Sequence, residues 1–420
     1  MIILSRLPLR LISSAQAAET MNNNISILVG LKNNLDYSKY FYQTTRNLYP
    51  DVEIVFVSYN STDGTNEWLD NLQDDHVKYY YSAETKTLAH TYNKCTKLAT
   101  KDYVVFAHND MVLTPCFIEG LQKHLSQKDL LYYTTIEPPI FSDDPRPWKI
   151  VQDFGTDIAS FNKDALYTFA HEVQKDNAGQ KKQVEGASFF LCVYRETLLT
   201  TGGLDTLFNP MFCEDDDLIL RLSLLNLNKI VVPEVLCYHF ISKTSRFSAE
   251  YQNKTQQIEL NSNRNFVRKW GFKSSSSVKK KYDIGLVVTN CNEKILFQLE
   301  PWCSTIYIDC DPKPYIAQEQ PNTAIDLAGK IKPLEAPKQN GILISFDGKN
   351  FNDQAYNKIQ QLSEFITQQI NTPPSLLQRM LRKNSALFKW KMLKFEIIDT
   401  QTYEHQLIHI KKIKDVFQPF

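Results

Sequence analysis

From Ile25 onward, short apolar runs rich in β-branched residues alternate with stretches in which apolar positions recur every three or four residues. The first kind reads as buried strands and the second as amphipathic helices. This predicts strands at Ile25–Val29, Glu53–Val57, Val77–Tyr81 and Tyr103–Ala107, with helices at Tyr37–Leu48, Thr65–Leu72 and Leu88–Leu98 between them. A βαβαβαβ order implies an α/β fold whose mainly parallel sheet is flanked by helices. Ligands of such sheets bind beyond the carboxyl ends of the strands. That rule singles out the loops Gly30–Asn34, Ser58–Gly64 and His108–Met111.

Further along, Glu137–Lys182 has no sustained period and holds Glu137-Pro138-Pro139 and Asp143-Asp144-Pro145-Arg146-Pro147-Trp148. It reads as a long irregular segment, with the part around Asp143–Trp148 acting as a lid and Trp148 offering a stacking face to a sugar or base. A strand at Ala187–Val193, an acid-led helix from Glu214, a strand at Lys229–Val232 and a helix at Gln256–Trp270 complete the unit. The Ser- and Lys-rich stretch Lys273–Lys281 reads as a linker. Beyond it, strands at Tyr282–Thr289, Thr305–Cys310 and Gly341–Phe346 predict a smaller α/β unit. Asp309 and Asp311 stand where an acid can hold a nucleotide ribose, but no G-x-G-x-x-G follows the first strand, so packing or acceptor recognition is the expectation there. The expected division is a disordered leader at 1–24, a first domain at 25–272, a linker at 273–281 and an accessory domain at 282–420. The basic segment Leu376–Lys394 reads as an amphipathic helix docked on its own domain, with peripheral contact to an anionic membrane as the alternative.

Composition narrows the function without naming it. Lys+Arg and Asp+Glu both total 47, and a net charge of zero argues against a nucleic-acid binder. The eight cysteines are scattered with no C-x-x-C pair, which reads as idle reduced thiols in a cytoplasmic protein. Arg10 interrupts the apolar run Met1–Leu11, so the start reads as a leader or as translation from Met21 rather than a secretory signal. No stretch approaches the ~18–20 apolar residues of a membrane span.

The chemistry concentrates in Glu214-Asp215-Asp216-Asp217, four carboxylates opening a helical pattern carried by Leu218, Leu222 and Leu225. A helix N-terminus favours one or two acids by about 0.3–1 kcal/mol each; four adjacent ones suggest a chemical role for a carboxylate. Asp110 ends a strand, where an acid suits a divalent cation that bridges two phosphates. A carboxylate of the acidic run would then deprotonate an attacking hydroxyl.

These residues, in order, resemble the family 2 glycosyltransferases of the nucleotide-sugar-binding GT-A fold. Val57-Ser58-Tyr59-Asn60-Ser61-Thr62-Asp63-Gly64-Thr65 is similar to the family's V-D-x-G-S-T-D-G-T, Asn93 matches its isolated Asn, and Phe106-Ala107-His108-Asn109-Asp110 resembles the strand ending in D-x-D. Glu185-Gly186-Ala187 to Arg195, Gly202-Gly203-Leu204-Asp205, Glu214-Asp215-Asp216-Asp217-Leu218 and Arg221 resemble the acceptor-side block, Tyr238-His239 the later His, and Lys269-Trp270-Gly271 the closing K-W-G. The resemblance covers about residues 25–270. It implies a metal-dependent, inverting transfer of one sugar from a nucleotide-diphosphate sugar to a hydroxyl of a glycan or lipid-linked glycan, as in polysaccharide biosynthesis. The implied roles are Asp215 as base with Glu214 beside it, Asp110, His239 and His108 on Mn2+ or Mg2+, Gly30, Ser58, Asn60, Asp63, Asn93 and Asn109 on the donor, and Asp217, Trp148 and Arg221 on the acceptor. Two positions depart from the pattern: Ser58 replaces the acid that reads the base, and His108 replaces the first acid of D-x-D, an exchange that suits manganese better than magnesium. They motivate the alternative of a non-catalytic carbohydrate-binding protein on a decayed transferase fold. The localisation this implies is cytoplasmic, with the inner face of the membrane as a peripheral option.

Overall fold

The computed structural model describes residues 24–140, 146–241, 250–274, 277–371 and 386–402. The α/β alternation is present from the first strand. β1 (Ile25–Leu31), α1 (Leu35–Leu48), β2 (Glu53–Tyr59), α2 (Thr65–Asp70), β3 (Val77–Ser82), α3 (Leu88–Leu98) and β4 (Tyr103–His108) match the hydrophobic pattern closely. The chain continues through β5 (Met111–Leu113), α4 (Phe117–Gln122), β6 (Asp129–Glu137), β7 (Lys149–Val151), α5 (Lys163–Asp176), β8 (Lys182–Gln183), β9 (Leu191–Tyr194), α6 (Arg195–Thr201), α7 (Glu214–Leu224), β10 (Asn228–His239) and α8 (Thr255–Trp270). Among the described residues these strands form one ten-stranded sheet with the path β3-β2-β1-β4-β9-β6-β10-β5. β3, β2, β1 and β4 run parallel, so the ends of β1, β2 and β4 open on the same side. Val29 and Phe56 pack to one face and Leu28 and Val57 to the other, which is why these strands read as unbroken apolar runs.

Two expectations are corrected. Glu137–Lys182 is not irregular throughout, because it holds the 14-residue helix α5. Asn162 caps α5 by accepting from the Ala165 amide, and Leu166 and Ala170, one turn apart, bury against Leu236 and Tyr238 of β10. A stripe of two fully buried residues is too narrow to stand out in sequence. The amphipathic helix at Leu376–Lys394 is also overturned. Residues 376–385 lie outside the described residues, and the chain beyond them forms a hairpin of β15 (Ala386–Trp390) and β16 (Leu393–Ile397). Lys391 takes the left-handed conformation at its two-residue turn, and Phe388 stacks on Phe395 with centroids 4.6 Å apart. Leu387, Trp390 and Leu393 imitate a helical spacing; the period of two in Leu393, Phe395 and Ile397, all buried, decides the outcome.

The hairpin extends a second sheet. β11 (Ile284–Thr289), α9 (Glu293–Leu299), β12 (Thr305–Ile308), α10 (Lys313–Glu319), α11 (Leu327–Lys330), β13 (Ile331–Pro333), β14 (Ile342–Asp347), α12 (Asp353–Ile359) and α13 (Leu362–Asn371) precede it, and the order is β13-β12-β11-β14-β16-β15. The ribose-binding reading of Asp309 is not what its contacts describe, since its two carboxylate oxygens accept from the Asn290 and Cys291 amides and tie down the loop after β11.

α8 joins the two units. Val267 sits in the core of the second one. Arg264 Nε donates to Glu319 Oε1 at 2.7 Å, Arg268 Nη2 to Glu300 Oε2 at 2.8 Å, and Lys330 Nζ to Glu300 Oε1 at 2.7 Å. Glu300 is fully buried, and although burial works against its charge, Lys330 and Arg268 hold its carboxyl far below the usual range.

Candidate active site

β4 ends at His108, and the two-residue turn Asn109-Asp110 leads straight into β5. β5 pairs antiparallel with β10, setting Met111 opposite His239, and the Phe240 amide donates to the Asp110 carbonyl at 3.0 Å. Two segments far apart in sequence thereby meet. His239 Nε2 lies 3.4 Å and His108 Nδ1 3.9 Å from Asp110 Oδ1, and one ligand atom from each residue falls within 4.8 Å of the others. His239 Nε2 is buried and makes no hydrogen bond among the described residues. Two imidazole nitrogens and a carboxylate oxygen converging at these separations fit a divalent cation, whose ligand bonds of ~2.0–2.2 Å place neighbouring donors about 3–4 Å apart.

The two histidines are tuned in opposite senses. Burial takes His108 down to about 4, only partly opposed by Asp110. For His239 burial also disfavours the cation, but Asp110 and Glu137 outweigh it and carry the imidazole up to about 9. Phe190 packs edge-on against both rings, at 5.1 and 5.0 Å.

Beside this cluster, a cleft is lined by Gly30, Lys32, Tyr59, Tyr92, His108 and Tyr251, among others. Gly30 is required there by close approach: a Cβ would lie 3.0 Å from Thr91 Cγ2 and from Tyr92 Cε2, so α3 packs directly on the strand end. Lys32 Nζ donates to the Asn60 carbonyl at 3.0 Å and stands 3.6 Å from Glu250 Oε2.

The remaining residues expected on the donor hold the loops rather than face the cleft. Ser58 is fully buried, its hydroxyl 2.8 Å from Ser61 Oγ and 3.1 Å from Asn66 Oδ1. Asp63 accepts from the Leu35 amide through Oδ2 and from the Thr65 amide through Oδ1, so one carboxylate caps the starts of α1 and α2. Asn93 exchanges two 2.8 Å hydrogen bonds with the backbone of Leu204 and locks the Gly202-Gly203 turn. Asn109 donates to Ser38 Oγ at 2.9 Å, and its buried Oδ1 has no hydrogen-bond partner among the described residues. Asn60 donates to Thr85 Oγ1 at 3.0 Å.

The acidic run divides by burial. Asp217 is fully buried on α7, where Arg221 Nε donates to Oδ2 at 2.9 Å, Trp270 Nε1 to Oδ1 at 2.9 Å, and Lys269 Nζ lies 2.5 Å from Oδ1. Arg221, also fully buried, spends its other nitrogens on the Thr201 and Gly203 carbonyls. The expectation that Asp217 and Arg221 contact an acceptor is therefore corrected: together with Lys269 and Asp205 they form an internal ion network that fastens α7 to α8. Trp148 is corrected likewise. It is 7% exposed, packs edge-on against Tyr132 at 5.2 Å and covers Gly186, so it offers no open stacking face; residues 141–145 of the expected lid lie outside the described residues.

Glu214 and Asp215 stand at the first turn of α7, preceded by Phe212 and Cys213, both at positive φ. Burial, then the charge of Asp216, raises Asp215 to about 6. Burial and the Asp215 charge push Glu214 well above the usual carboxylate range, and its Oε2 has no hydrogen-bond partner among the described residues. Glu137, which accepts from His239 Nδ1 at 3.1 Å, gave no signal in sequence beyond its place before two prolines.

Residues 26–191 match the family model described as Glycosyl transferase family 2. No curated protein matches the chain. Among solved structures, the mannosyltransferase PcManGT from Pyrobaculum calidifontis, in complex with GDP-Man and Mn2+, is similar at 17% identity and a TM-score of 0.38, over 58% of this chain and 62% of that one. GalNAc-T7 with UDP, GalNAc and Mn2+ gives 11% identity and a TM-score of 0.43, over 58% and 48%. TarS 1–349 of S. aureus gives 13% identity and a TM-score of 0.39, over 58% and 80%. The chain thus spans about three fifths of the length of the first of these structures.

Proposed function

We propose, from the match of residues 26–191 to the glycosyl transferase family 2 model, that the protein transfers one sugar from a nucleotide-diphosphate donor to a hydroxyl of a glycan or lipid-linked glycan, with inversion. The observation that carries this reading is the convergence of His108, Asp110 and His239 at the carboxyl end of the parallel sheet, next to the cleft bounded by Gly30 and Tyr59. The three residues would hold Mn2+ or Mg2+, and the imidazole donors favour manganese. When bound, such an ion neutralises the charge that develops on a departing diphosphate.

The chain's own residues supply the rest. Gly30 keeps α3 packed on the strand end at the back of the cleft, Tyr59 offers an aromatic wall, and Lys32, beside Glu250, stands at the rim. Asp215 takes the proton of the acceptor hydroxyl. Its pKa near 6 leaves it mostly ionised at neutral pH yet more basic than an exposed carboxylate. Glu214, pushed toward its neutral form, is suited to donate a hydrogen bond beside it. A single displacement needs one base and no protein nucleophile. Asp63, Ser58, Asn93, Asp217 and Arg221 act at one remove, by fixing the loops and helix that carry these groups.

We assign this chemistry to residues 25–272 and an accessory role to residues 282–420, in a cytoplasmic protein acting in polysaccharide biosynthesis. Among the described residues no helix is long and apolar enough to cross a membrane. The alternative, a non-catalytic binder, is motivated by Ser58 and His108. A thermal-shift screen of nucleotide sugars with Mn2+, then a hydrolysis assay on the best binder, separates the two. Release of nucleoside diphosphate that disappears in Asp215→Asn supports transfer; binding without any release supports the alternative.

A further inference from the structure

Glu137 closes β6, which runs parallel to β10, and the register that pairs Ile136 with Tyr238 brings its carboxylate beside His239. Its Oε1 accepts from His239 Nδ1 at 3.1 Å and from Thr135 Oγ1 at 3.2 Å, while Oε2 pairs with Lys149 Nζ at 3.2 Å. His239 is thereby addressed on both ring nitrogens, by Glu137 on one side and by Asp110 on the other, and Phe190 flanks the ring. A carboxylate accepting from Nδ1 keeps the proton on that nitrogen and directs the lone pair of Nε2 the other way. Lys149 and Thr135 in turn fix the carboxylate, so the orientation does not depend on a single contact.

We propose that Glu137 is a positioning residue that orients His239 as a metal ligand through Nδ1, making a Glu137–His239–cation relay that decides both the affinity and the manganese preference of the site. The inference rests on His108, Asp110 and His239 holding a divalent cation. It assigns Glu137 no contact with substrate. Loss of such an outer carboxylate typically weakens metal affinity about 10–100-fold. The loss should be larger for Mn2+ than for Mg2+, because the misplaced donor is an imidazole.

The test uses the full chain and Mn2+ alone, read by the paramagnetic resonance of free Mn2+, with Mg2+ affinity taken from competition. Glu137→Gln keeps the side-chain volume and should lower Mn2+ affinity about 10–100-fold with a smaller change for Mg2+. In a His239→Ala background the same substitution should do nothing further, since its effect passes through the missing ring. Lys149→Met, which leaves the Glu137–His239 contact in place, should cost less than Glu137→Gln. Wild-type Mn2+ affinity in a folded Glu137→Gln protein overturns the relay, as does an equal loss in the His239→Ala background. A wild-type chain that binds no Mn2+ overturns the metal site itself, and the relay with it.

Discussion

As the base, Asp215 should give the reaction an acid limb in its pH profile. Its carboxyl is raised to about 6 by burial first and by the neighbouring charge of Asp216 second, with the Asp216 amide, 2.9 Å from Oδ1, pulling the other way. A base works deprotonated, so kcat/KM should rise with pH and level off above the folded pKa. At pH 5, about one unit below it, roughly one Asp215 in ten is ionised and the rate should lie about tenfold under the plateau. Asp216→Asn removes the second cause and should shift this acid limb to lower pH without lowering the plateau much. Asp215→Asn should lose about 10²–10⁴-fold on the plateau while still binding donor, with the deficit narrowing about tenfold by pH 5 as the wild type loses its own base. The assay is initial-rate release of nucleoside diphosphate from pH 5 to 8 at saturating Mn2+ and donor, which keeps the titration of His239 out of the profile. A wild-type profile flat over that range, or an acid limb that Asp216→Asn leaves in place, would refute the assignment.

The remaining outcomes rest on the same geometry. His239, raised to about 9 from 6.5, binds its proton more tightly folded than unfolded. In metal-free protein its contribution, on the order of 3 kcal/mol, should be complete below pH 6.5 and lost as pH climbs through 9. Because a ligand must shed that proton, apparent Mn2+ affinity should rise about tenfold per pH unit below 9, and titrations at pH 6.5, 7.5 and 8.5 giving one constant would contradict this. Asp110→Ala should weaken Mn2+ and nucleoside diphosphate together in calorimetry; unchanged metal dependence of nucleotide binding would remove Asp110 from the site. Glu300→Gln leaves Arg268 and Lys330 facing a neutral amide and should cost about 3–5 kcal/mol in denaturant unfolding. A cut after Lys273 strands Arg264, Arg268 and the apolar Val267 in the same way, and should yield insoluble protein rather than a foldable domain.

The hydrophobic period by itself determined the first half of the sheet, since β1, β2 and β4 are buried on both faces and their runs are unbroken. It also fixed the end of that sheet at which His108 and Asp110 stand, because a strand's direction and its terminal residue are local facts. What it could not determine was which polar side chains reach the cleft. Asp63, Asn93, Ser58, Asp217 and Arg221 have the residue types of a binding site, yet each is consumed by backbone amides, carbonyls or buried counter-charges that come from up to 111 residues away. Nor could it foresee that β10 runs on past Pro233 to His239. The register with β6 shifts between Val232 and Leu236, and this irregularity accommodates a residue with no amide to give, so the strand carries its last histidine to Asp110 and Glu137. A strand's reach and a side chain's partner depend on neighbours distant in sequence, and only the packed sheet brings those neighbours together.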